Sequence, residues 1–302
     1  MRVPAPWGGL SLGVASHLLA GISPFVVAAL IARAGLMPAT ALIYITGLGL
    51  LGAGLAVMPA RRRALGDETR ALLRPPFARP FLLSLAGFLV AGVAYYQGLH
   101  RSARVAEYIF LTRLDWVIQA PVALWLLKEP WTRGAMSGGA LALTGGLMLA
   151  WTGAIGTSGM VAAGVYIAAS LAGYVGAAPI SAARALPGAL TLVVWRHAVN
   201  TAGFVLLAVP FWTSAAVPRS WDTVLLIGVG AVVILGLFVL RFAALTRIPL
   251  WVLSVQAPVQ AGVAVTASWL TEGRMAPLSI AAIALIVTGE CLVAFRHRQP
   301  GR

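Results

Sequence analysis

The feature that most constrains this chain is a series of apolar segments, each close to twenty residues long. An α-helix needs about 20 mostly apolar residues to cross the hydrocarbon core of a bilayer. Hydrophobic residues make up 60% of the 302 residues and charged residues only 10%, against about 45–50% and about 25% in soluble domains. The pattern therefore predicts an all-α integral membrane protein with ten transmembrane helices. The predicted spans are roughly residues 9–32, 39–59, 81–100, 105–127, 134–151, 160–181, 189–210, 222–242, 249–270 and 276–295.

The basic residues lie mostly in the short connectors between these segments, and their distribution predicts the topology. The formal net charge is +14, and the longest connector, 60–80, holds six arginines. Because positive loops stay in the cytoplasm, we expect a multi-pass inner-membrane protein with both termini cytoplasmic. Fifteen basic residues, Arg241 among them, then lie on the cytoplasmic side and five outside. This distribution favours contact with anionic membrane lipid and no binding of nucleic acid. No cleavage-site pattern follows the first apolar segment, so we expect it to remain as a span.

The two halves of the chain repeat the same pattern of landmarks. Glu129 ends the fourth predicted span and Glu272 ends the ninth, 143 residues later. Gly146 and Gly289 each follow their glutamate by 17 residues. The spacing divides the chain into residues 1–152 and 153–302, with five spans each. Because five is odd, the second half must enter the membrane from the opposite side. Such inverted repeats are common in secondary transporters, whose substrate site lies near the bilayer midplane between the repeats.

With this repeat, the chain resembles the drug/metabolite transporter (DMT) superfamily, and within it the EamA-type family. The resemblance rests on the motif LLKEP at the end of span four, WLTEG at the end of span nine, and a glycine-containing span after each. The segment VAEYIF, which begins at Val105, is similar to the branch that includes aromatic amino acid exporters. The resemblance implies an exporter or exchanger of amino acids or other small metabolites. Family members commonly have a proline midway through spans four and nine. Pro258 fits that pattern, whereas Asp115 stands in the matching register of span four.

Span four carries charges that are costly in a membrane. Glu107, Arg113 and Asp115 lie within nine residues, and a charge at the bilayer centre costs roughly 2.5–3.5 kcal/mol. Glu107, Asp115 and Gln119 fall in one sector of the helix, which predicts that this face lines a hydrated cavity. Asp115 could bind a cationic group or a proton, or form a structural ion pair. Arg113 points to nearly the opposite side, so it must meet another span or snorkel, and both a structural use and a ligand use are open. Glu107 could bind a ligand or pair with Arg101 or Arg104.

Span seven holds a second polar cluster in the segment VVWRHAVN. It consists of Trp195, Arg196, His197 and Asn200. An arginine can hold a carboxylate in a bidentate fork, so Arg196 is a candidate for binding the carboxylate of a substrate. Together with an aspartate on another helix, it would suit a zwitterion such as an amino acid. The alternative is that Arg196 neutralises Asp115 or Glu290 and holds helices together.

Further polar residues on the predicted spans complete the candidate set. Each has a structural alternative, namely a hydrogen-bonded or packed contact between helices. Gln256 is included because it matches Arg113 in the register of the repeat. The small residues Gly134, Gly138, Ala142 and Gly146 recur every four positions and predict close helix packing instead of a binding site. The further candidates for substrate binding or coupling are His17, Tyr96, Tyr166, Tyr174 and Gln256.

The sequence offers no catalytic constellation. There is one cysteine, Cys291, and no spacing of Cys and His typical of a metal site. Motifs for zinc hydrolases, serine hydrolases or ATP binding are missing, so we expect no cofactor and no enzyme. We predict a secondary transporter that moves an amino acid or an amphiphilic organic compound, such as an organic cation, by proton coupling, exchange or uniport. A flippase for a lipid or lipid-linked sugar, and a non-transporting scaffold or sensor, remain alternatives, as do monomer and homodimer.

Overall fold

The structure is a computed structural model of the whole chain. It describes residues 6–102, 104–115, 118–119, 122, 125, 133–151, 156–182, 189–212, 218, 220–247, 250, 253, 257–273 and 277–296.

Eleven α-helices account for nearly all of the described residues, and no β-strand occurs among them. The predicted all-α class is therefore confirmed for this part of the chain. A single 3-10 turn at Val209–Phe211 follows α8. The helices are α1 Pro6–Ala34, α2 Leu36–Ala56, α3 Pro59–Leu72, α4 Ala78–Arg101, α5 Val105–Thr112, α6 Arg133–Trp151, α7 Thr157–Ala182, α8 Ala189–Ala208, α9 Trp221–Leu245, α10 Ala257–Glu272 and α11 Pro277–Arg296.

Six helices within the described ranges are long and apolar enough to cross a membrane: α1, α2, α4, α7, α8 and α9. Their apolar stretches run for 21 to 25 residues, which corresponds to more than 30 Å at about 1.5 Å per residue. Large apolar side chains such as Leu50, Leu82 and Leu206 are exposed on their outer faces, as contact with lipid requires. The helices fit a membrane-embedded protein, while the ten spans stay a prediction.

The long arginine-rich connector contains a helix that the sequence analysis did not predict. Helix α3 starts with Pro59 at its first turn, where proline is favoured. Alanine, arginine and leucine, all good helix formers, fill most of its other positions. Leu72 is buried while Arg61 and Arg63 are exposed, so one face of the helix packs on the protein and the other is solvated.

The buried face of α3 contacts α8. Trp195 Nε1 donates a hydrogen bond to Thr69 Oγ1 at 2.8 Å, and the Thr191 hydroxyl donates one to the Glu68 carboxylate. Phe81 packs edge-on against the Trp195 ring at 6.4 Å between centroids. The connector is thus tied to the end of the helix that carries Arg196.

The helices pack mainly across the two halves of the chain. In the predicted repeat, α1, α2, α4, α5 and α6 of the first half would correspond in chain order to α7, α8, α9, α10 and α11 of the second. Helix α4 packs along α7, and α1 packs along α9; exchanging the halves converts one pair into the other. The pairs α2–α8, α5–α10 and α6–α11 each map onto themselves. This is the pattern of contacts that a two-fold relation between the halves produces.

Small residues allow the closest of these approaches. A Cβ atom at Gly87 of α4 would lie 2.5 Å from the Gly173 nitrogen of α7, which is too close for any side chain. In the α6–α11 pair, Gly289 lies against Gly138 and Ala142, two members of the predicted small-residue stripe. That part of the stripe packs against a neighbouring helix, as predicted.

Candidate functional site

A cavity of about 80 Å³ lies between the two halves. Ala20 near the middle of α1, Tyr166 in α7 and Gln260 in α10 all line it, so it sits at mid-depth in the helix bundle. Helices α1, α2 and α4 and the turn after α5 contribute from the first half, and α7 to α10 contribute from the second. One water needs about 10–15 Å³ by this kind of measure, so the cavity has room for several waters or one small group.

Three arginines from different elements line this cavity within the described part of the chain: Arg113, Arg196 and Arg241. They are only 3%, 6% and 5% exposed, respectively. Asp115, 1% exposed, hydrogen-bonds to two lining residues, Tyr166 and Ser170. With tyrosine and histidine neutral, these described groups sum to +3 − 1 = +2. The described part of the cavity lining therefore carries net positive charge.

Arg113 is held by hydrogen bonds from three elements. The sequence analysis expected this side chain to meet another span or to snorkel, and it contacts two other helices. Its Nη1 donates to Gln260 Oε1 of α10 at 3.3 Å, and its Nη2 donates to the Tyr166 hydroxyl of α7 at 3.2 Å. A further bond goes from Nη2 to Thr112 Oγ1 at 3.4 Å. Gln260 in turn donates to the Ala20 carbonyl of α1 at 3.2 Å, so Arg113 links helices of both halves.

Asp115 joins Arg113 through a phenol. The Tyr166 hydroxyl, which accepts from Arg113, donates to Asp115 Oδ2 at 3.2 Å. The same oxygen accepts from Ser170 Oγ at 3.0 Å, and Gln119 Nε2 donates to that serine at 3.2 Å. We call this chain from Arg113 to Gln119 the Asp115 network. It joins polar residues of spans four and six that the sequence analysis considered separately.

Arg196 lies in a different environment. Its guanidinium carbon lies 3.1 Å from the centroid of the Phe238 ring and 5.3 Å from that of Phe88. Its Nε and Nη1 are buried without a hydrogen-bond partner among the described residues. The structure shows no ion pair between Arg196 and Asp115 in those residues, and the side chain of Glu290, the other suggested partner, lies outside them.

Asn200 lies one turn beyond Arg196 on α8 and is 1% exposed. Neither its Oδ1 nor its Nδ2 has a hydrogen-bond partner within the described ranges. Asn200 does not itself line the cavity, but its Oδ1 would lie 3.8 Å from a Cβ atom at Gly92, which does. We call Arg196 and Asn200 the α8 pair.

Arg241 is a cavity residue that the sequence analysis missed. It was counted among the cytoplasmic basic residues, but it lies within α9, which continues to Leu245. Its Nη1 donates to the Tyr174 hydroxyl at 3.1 Å. The signal was present in the sequence, since residue 241 falls inside the predicted span 222–242. Correcting the topology count leaves fourteen basic residues on the cytoplasmic side, which does not change the predicted orientation.

Two other predicted residues, Tyr96 and Tyr174, also line the cavity, together with Tyr166. Tyr96 contacts Tyr44 and Phe204 edge-on, at 6.4 and 5.6 Å between ring centroids. Gln256 lies outside the described residues, whereas Gln260, one turn further on, lines the cavity.

Trp195 and His197 flank Arg196 but do not line the cavity. Trp195, predicted as a cavity residue, instead turns toward α3 and its indole bonds to Thr69. His197 Nδ1 lies 3.1 Å from the Val193 carbonyl, and its ring packs against Tyr44 at 5.6 Å. Consecutive residues of a helix point in directions about 100° apart, so only one of the three faces the cavity.

His17 and Glu107 are not among the residues that line the cavity, although the His17 side chain also interacts with Gln260, which is. His17 Nε2 lies 3.0 Å from the Leu253 carbonyl. Glu107 Oε1 accepts from Ser279 Oγ at 2.6 Å and from Arg104 Nη1 at 3.2 Å; the pairing with Arg104 is one that the sequence suggested. These contacts are the structural alternatives for both residues.

Comparison with known proteins supports the fold and goes no further. No family model matches the chain, and no curated protein matches it significantly. A solved structure described only as "Crystal structure of protein" superposes with a TM-score of 0.70 over 95% of this chain and 97% of its own. The sequence identity is 15%, so the likeness shows a shared fold over nearly the whole length of both chains.

Proposed function

We propose that the protein is a secondary transporter of the inner membrane, with a DMT-type architecture of the EamA kind. In this proposal, ten spans in two inverted halves move a small metabolite by alternating access, by export or exchange. Both termini lie in the cytoplasm. An amino acid is among the candidate substrates.

The observation that carries the proposal is the cavity at mid-depth between the halves, with buried arginines around it. Charges within a membrane-embedded bundle are costly and mark substrate or ion pathways. Secondary transporters built from inverted repeats bind their substrates at this depth. The pairing of α4 with α7 and of α1 with α9 adds support, because it is the pairing expected of two inverted halves.

The small volume suits a state closed on both sides. On the cytoplasmic side of the proposed topology, Trp195, Phe81 and Thr69 pack together. Toward the other side, Tyr44 stacks on Phe204 at 5.0 Å. Ligand pockets for small molecules usually measure about 300–1,000 Å³, so substrate entry requires one of these two layers to open.

Counterflow in proteoliposomes tests the proposal. Vesicles are preloaded with one unlabelled compound from a panel of amino acids, organic anions and organic cations, and uptake of the labelled compound is followed. We expect saturable uptake of at least one compound by the wild type, lost in Arg196→Gln and kept in the exposed control Arg63→Gln. Folded protein that gives no counterflow with any compound would contradict the proposal.

A flippase for a lipid or lipid-linked sugar is the second candidate, because of one further observation. An apolar groove of about 580 Å³ lies between α4, α7 and α8, with Gln97 and Arg101 at its rim. It could take an acyl chain whose head group meets Arg101. Helix α4 separates the groove from the cavity, since Val93 and Ala94 line one and Tyr95 and Tyr96 the other. Transbilayer movement of a fluorescent phospholipid, without counterflow of any soluble compound, would favour this candidate.

A further inference from the structure

The charge around the cavity restricts what it can hold. Among the described residues, three arginines and one aspartate give a sum of +2, and neither Arg113 nor Arg196 forms a direct salt bridge there. A zwitterion would leave that sum unchanged, and an organic cation would raise it to +3. A monovalent anion lowers it to +1. Because unit charges a few ångströms apart interact by several kcal/mol inside a protein, this difference is large enough to decide which ligand class binds.

The three arginines are not equivalent. Arg113 belongs to the Asp115 network and Arg241 donates to Tyr174. Arg196 lies over the Phe238 ring. The face of an aromatic ring attracts a cation, so this contact stabilises the guanidinium charge. The N–H bonds of a guanidinium lie in its plane, so a ring against its face leaves these donors unused. This explains how Arg196 can be buried with Nε and Nη1 lacking a partner in the described structure.

Asn200 lies one turn further along α8, against Gly92 of the cavity wall, and adds a donor and an acceptor there. Both of its amide atoms lack a partner among the described residues, and buried polar groups of native proteins rarely stay so. On the same side of the cavity, Phe88, Ala91 and Gly92 of α4 offer apolar surface. The α8 pair thus supplies hydrogen-bonding groups for a carboxylate, and α4 supplies apolar surface for the rest of a small ligand.

We propose that the cavity binds a small organic anion, whose carboxylate accepts hydrogen bonds from Arg196 and whose neighbouring polar atoms meet Asn200. The inference rests on the proposed function and narrows its substrate class: carboxylate anions bind, and organic cations of the same shape do not. A small inorganic anion has the same charge and could occupy the fork, so the experiment includes it as a separate arm.

Equilibrium binding to the full chain purified in detergent tests this class. Two series of probes of similar size carry a negative, a neutral or a positive polar group: acetate, acetamide and ethylammonium, and benzoate, benzamide and benzylammonium. Binding is followed by tryptophan fluorescence and by the shift of the thermal unfolding midpoint. We expect saturable binding of the carboxylate of at least one series and none of its amide or ammonium counterpart. Equal or tighter binding of the ammonium compound would overturn the inference.

The variants locate the site. Losing one partner of a buried charged hydrogen bond costs at least about 2 kcal/mol, so Arg196→Gln should weaken carboxylate binding roughly 30-fold or more. Arg196→Lys keeps the charge but loses the two-pronged geometry of the guanidinium, so it should also bind the carboxylate more weakly. It replaces Arg196→Gln as the test if that variant does not fold. Arg63→Gln makes the same change on the exposed face of α3 and should bind as the wild type does. Unchanged binding in a folded Arg196 variant would overturn the assignment.

The inorganic arm titrates chloride with and without the carboxylate. Competition by chloride, at a concentration well above that of the carboxylate, is expected if both meet Arg196. Binding of chloride alone, with no carboxylate bound, would overturn the organic ligand. Because these measurements need no translocation, carboxylate binding without counterflow would refute the transporter and leave the anion site standing. Counterflow of a cation without carboxylate binding would do the reverse.

Discussion

The Asp115 network and the α8 pair adjoin the same cavity, yet they differ in how many of their buried polar atoms have hydrogen-bond partners. In the network, Arg113 and Asp115 each make at least two hydrogen bonds, and Tyr166 connects them. Only single atoms there, Arg113 Nε, Asp115 Oδ1 and Gln119 Oε1, lack a partner among the described residues. In the α8 pair, Arg196 and Asn200 present buried donors and acceptors without partners among the described residues. The comparison teaches that a charge within a span can be a fixed part of the helix contacts or a group kept available for a ligand.

The largest effect is expected for Asp115→Ala, which breaks the network. Removing one partner of a buried charge system costs about 3–5 kcal/mol, because the other charge stays buried and uncompensated. We expect a large fall in the thermal unfolding midpoint in detergent and in the yield of folded protein. Asp67→Ala is the matched control, since Asp67 pairs with Arg70 at the surface with both side chains over 70% exposed. Such exposed pairs contribute about 0–1 kcal/mol.

The conservative variant Asp115→Asn separates stability from proton coupling. An asparagine can keep the hydrogen bonds from Ser170 and Tyr166, so we expect a smaller loss of stability than in Asp115→Ala. Transport that is intact in Asp115→Asn at every pH would refute a coupling role for this carboxylate.

The next effect concerns Arg196→Met, which should act on binding and not on folding. Burying a charge without a hydrogen-bonded partner is costly, so an apolar side chain of similar length should not destabilise the fold. We expect an unchanged or higher unfolding midpoint together with loss of carboxylate binding and counterflow. An unfolding midpoint that falls as far as that of Asp115→Ala would show that both clusters are structural, and the comparison would fail.

Asn200→Leu, like Arg196→Met, should weaken binding without destabilising the fold, and both effects should be smaller. An amide buried without partners costs about 1–3 kcal/mol, so a leucine of similar size should stabilise the protein by about 1 kcal/mol. Counterflow should decrease severalfold because one ligand contact is lost. A destabilised but fully active variant would mean that Asn200 has a structural partner outside the described residues.

The smallest effect is expected for Trp195→Phe, next to Arg196 but turned away from the cavity. It removes the hydrogen bond to Thr69, which contributes about 1 kcal/mol, and leaves the charges unchanged. Combining it with Thr69→Val in a double-mutant cycle measures that bond, and the second substitution should add little to the first. Loss of carboxylate binding in Trp195→Phe would place the indole within the site and contradict the limitation of the site on α8 to Arg196 and Asn200.

The sequence predicted the helical class, because apolar runs of membrane length leave few alternatives. It also identified Arg113, Asp115 and Arg196, because the cost of a charge in an apolar span is visible in one dimension. It could not assign their partners. The contacts of Arg113 with Gln260 and Tyr166 join residues 147 and 53 positions apart, and only the packing of helices brings them together.

The errors have the same origin. Trp195 was expected in the cavity because it adjoins Arg196, but its direction depends on α3, whose helical character was hidden by its high charge. Arg241 was placed in a connector because it lies near the end of a span, and its buried contact with Tyr174 could not be seen from α9 alone.

The pairing of helices across the halves also sets an order of events during synthesis. Helix α1 ends at Ala34 and its partner α9 begins at Trp221, so 221 − 34 − 1 = 186 residues lie between them. At a synthesis rate of about 5–20 residues per second, roughly 10–40 s pass between the synthesis of α1 and that of its partner. During that time the glycine-lined faces of the first half must rest against lipid or the insertion machinery. The final packing of the first half therefore takes place only after the ribosome has delivered most of the second.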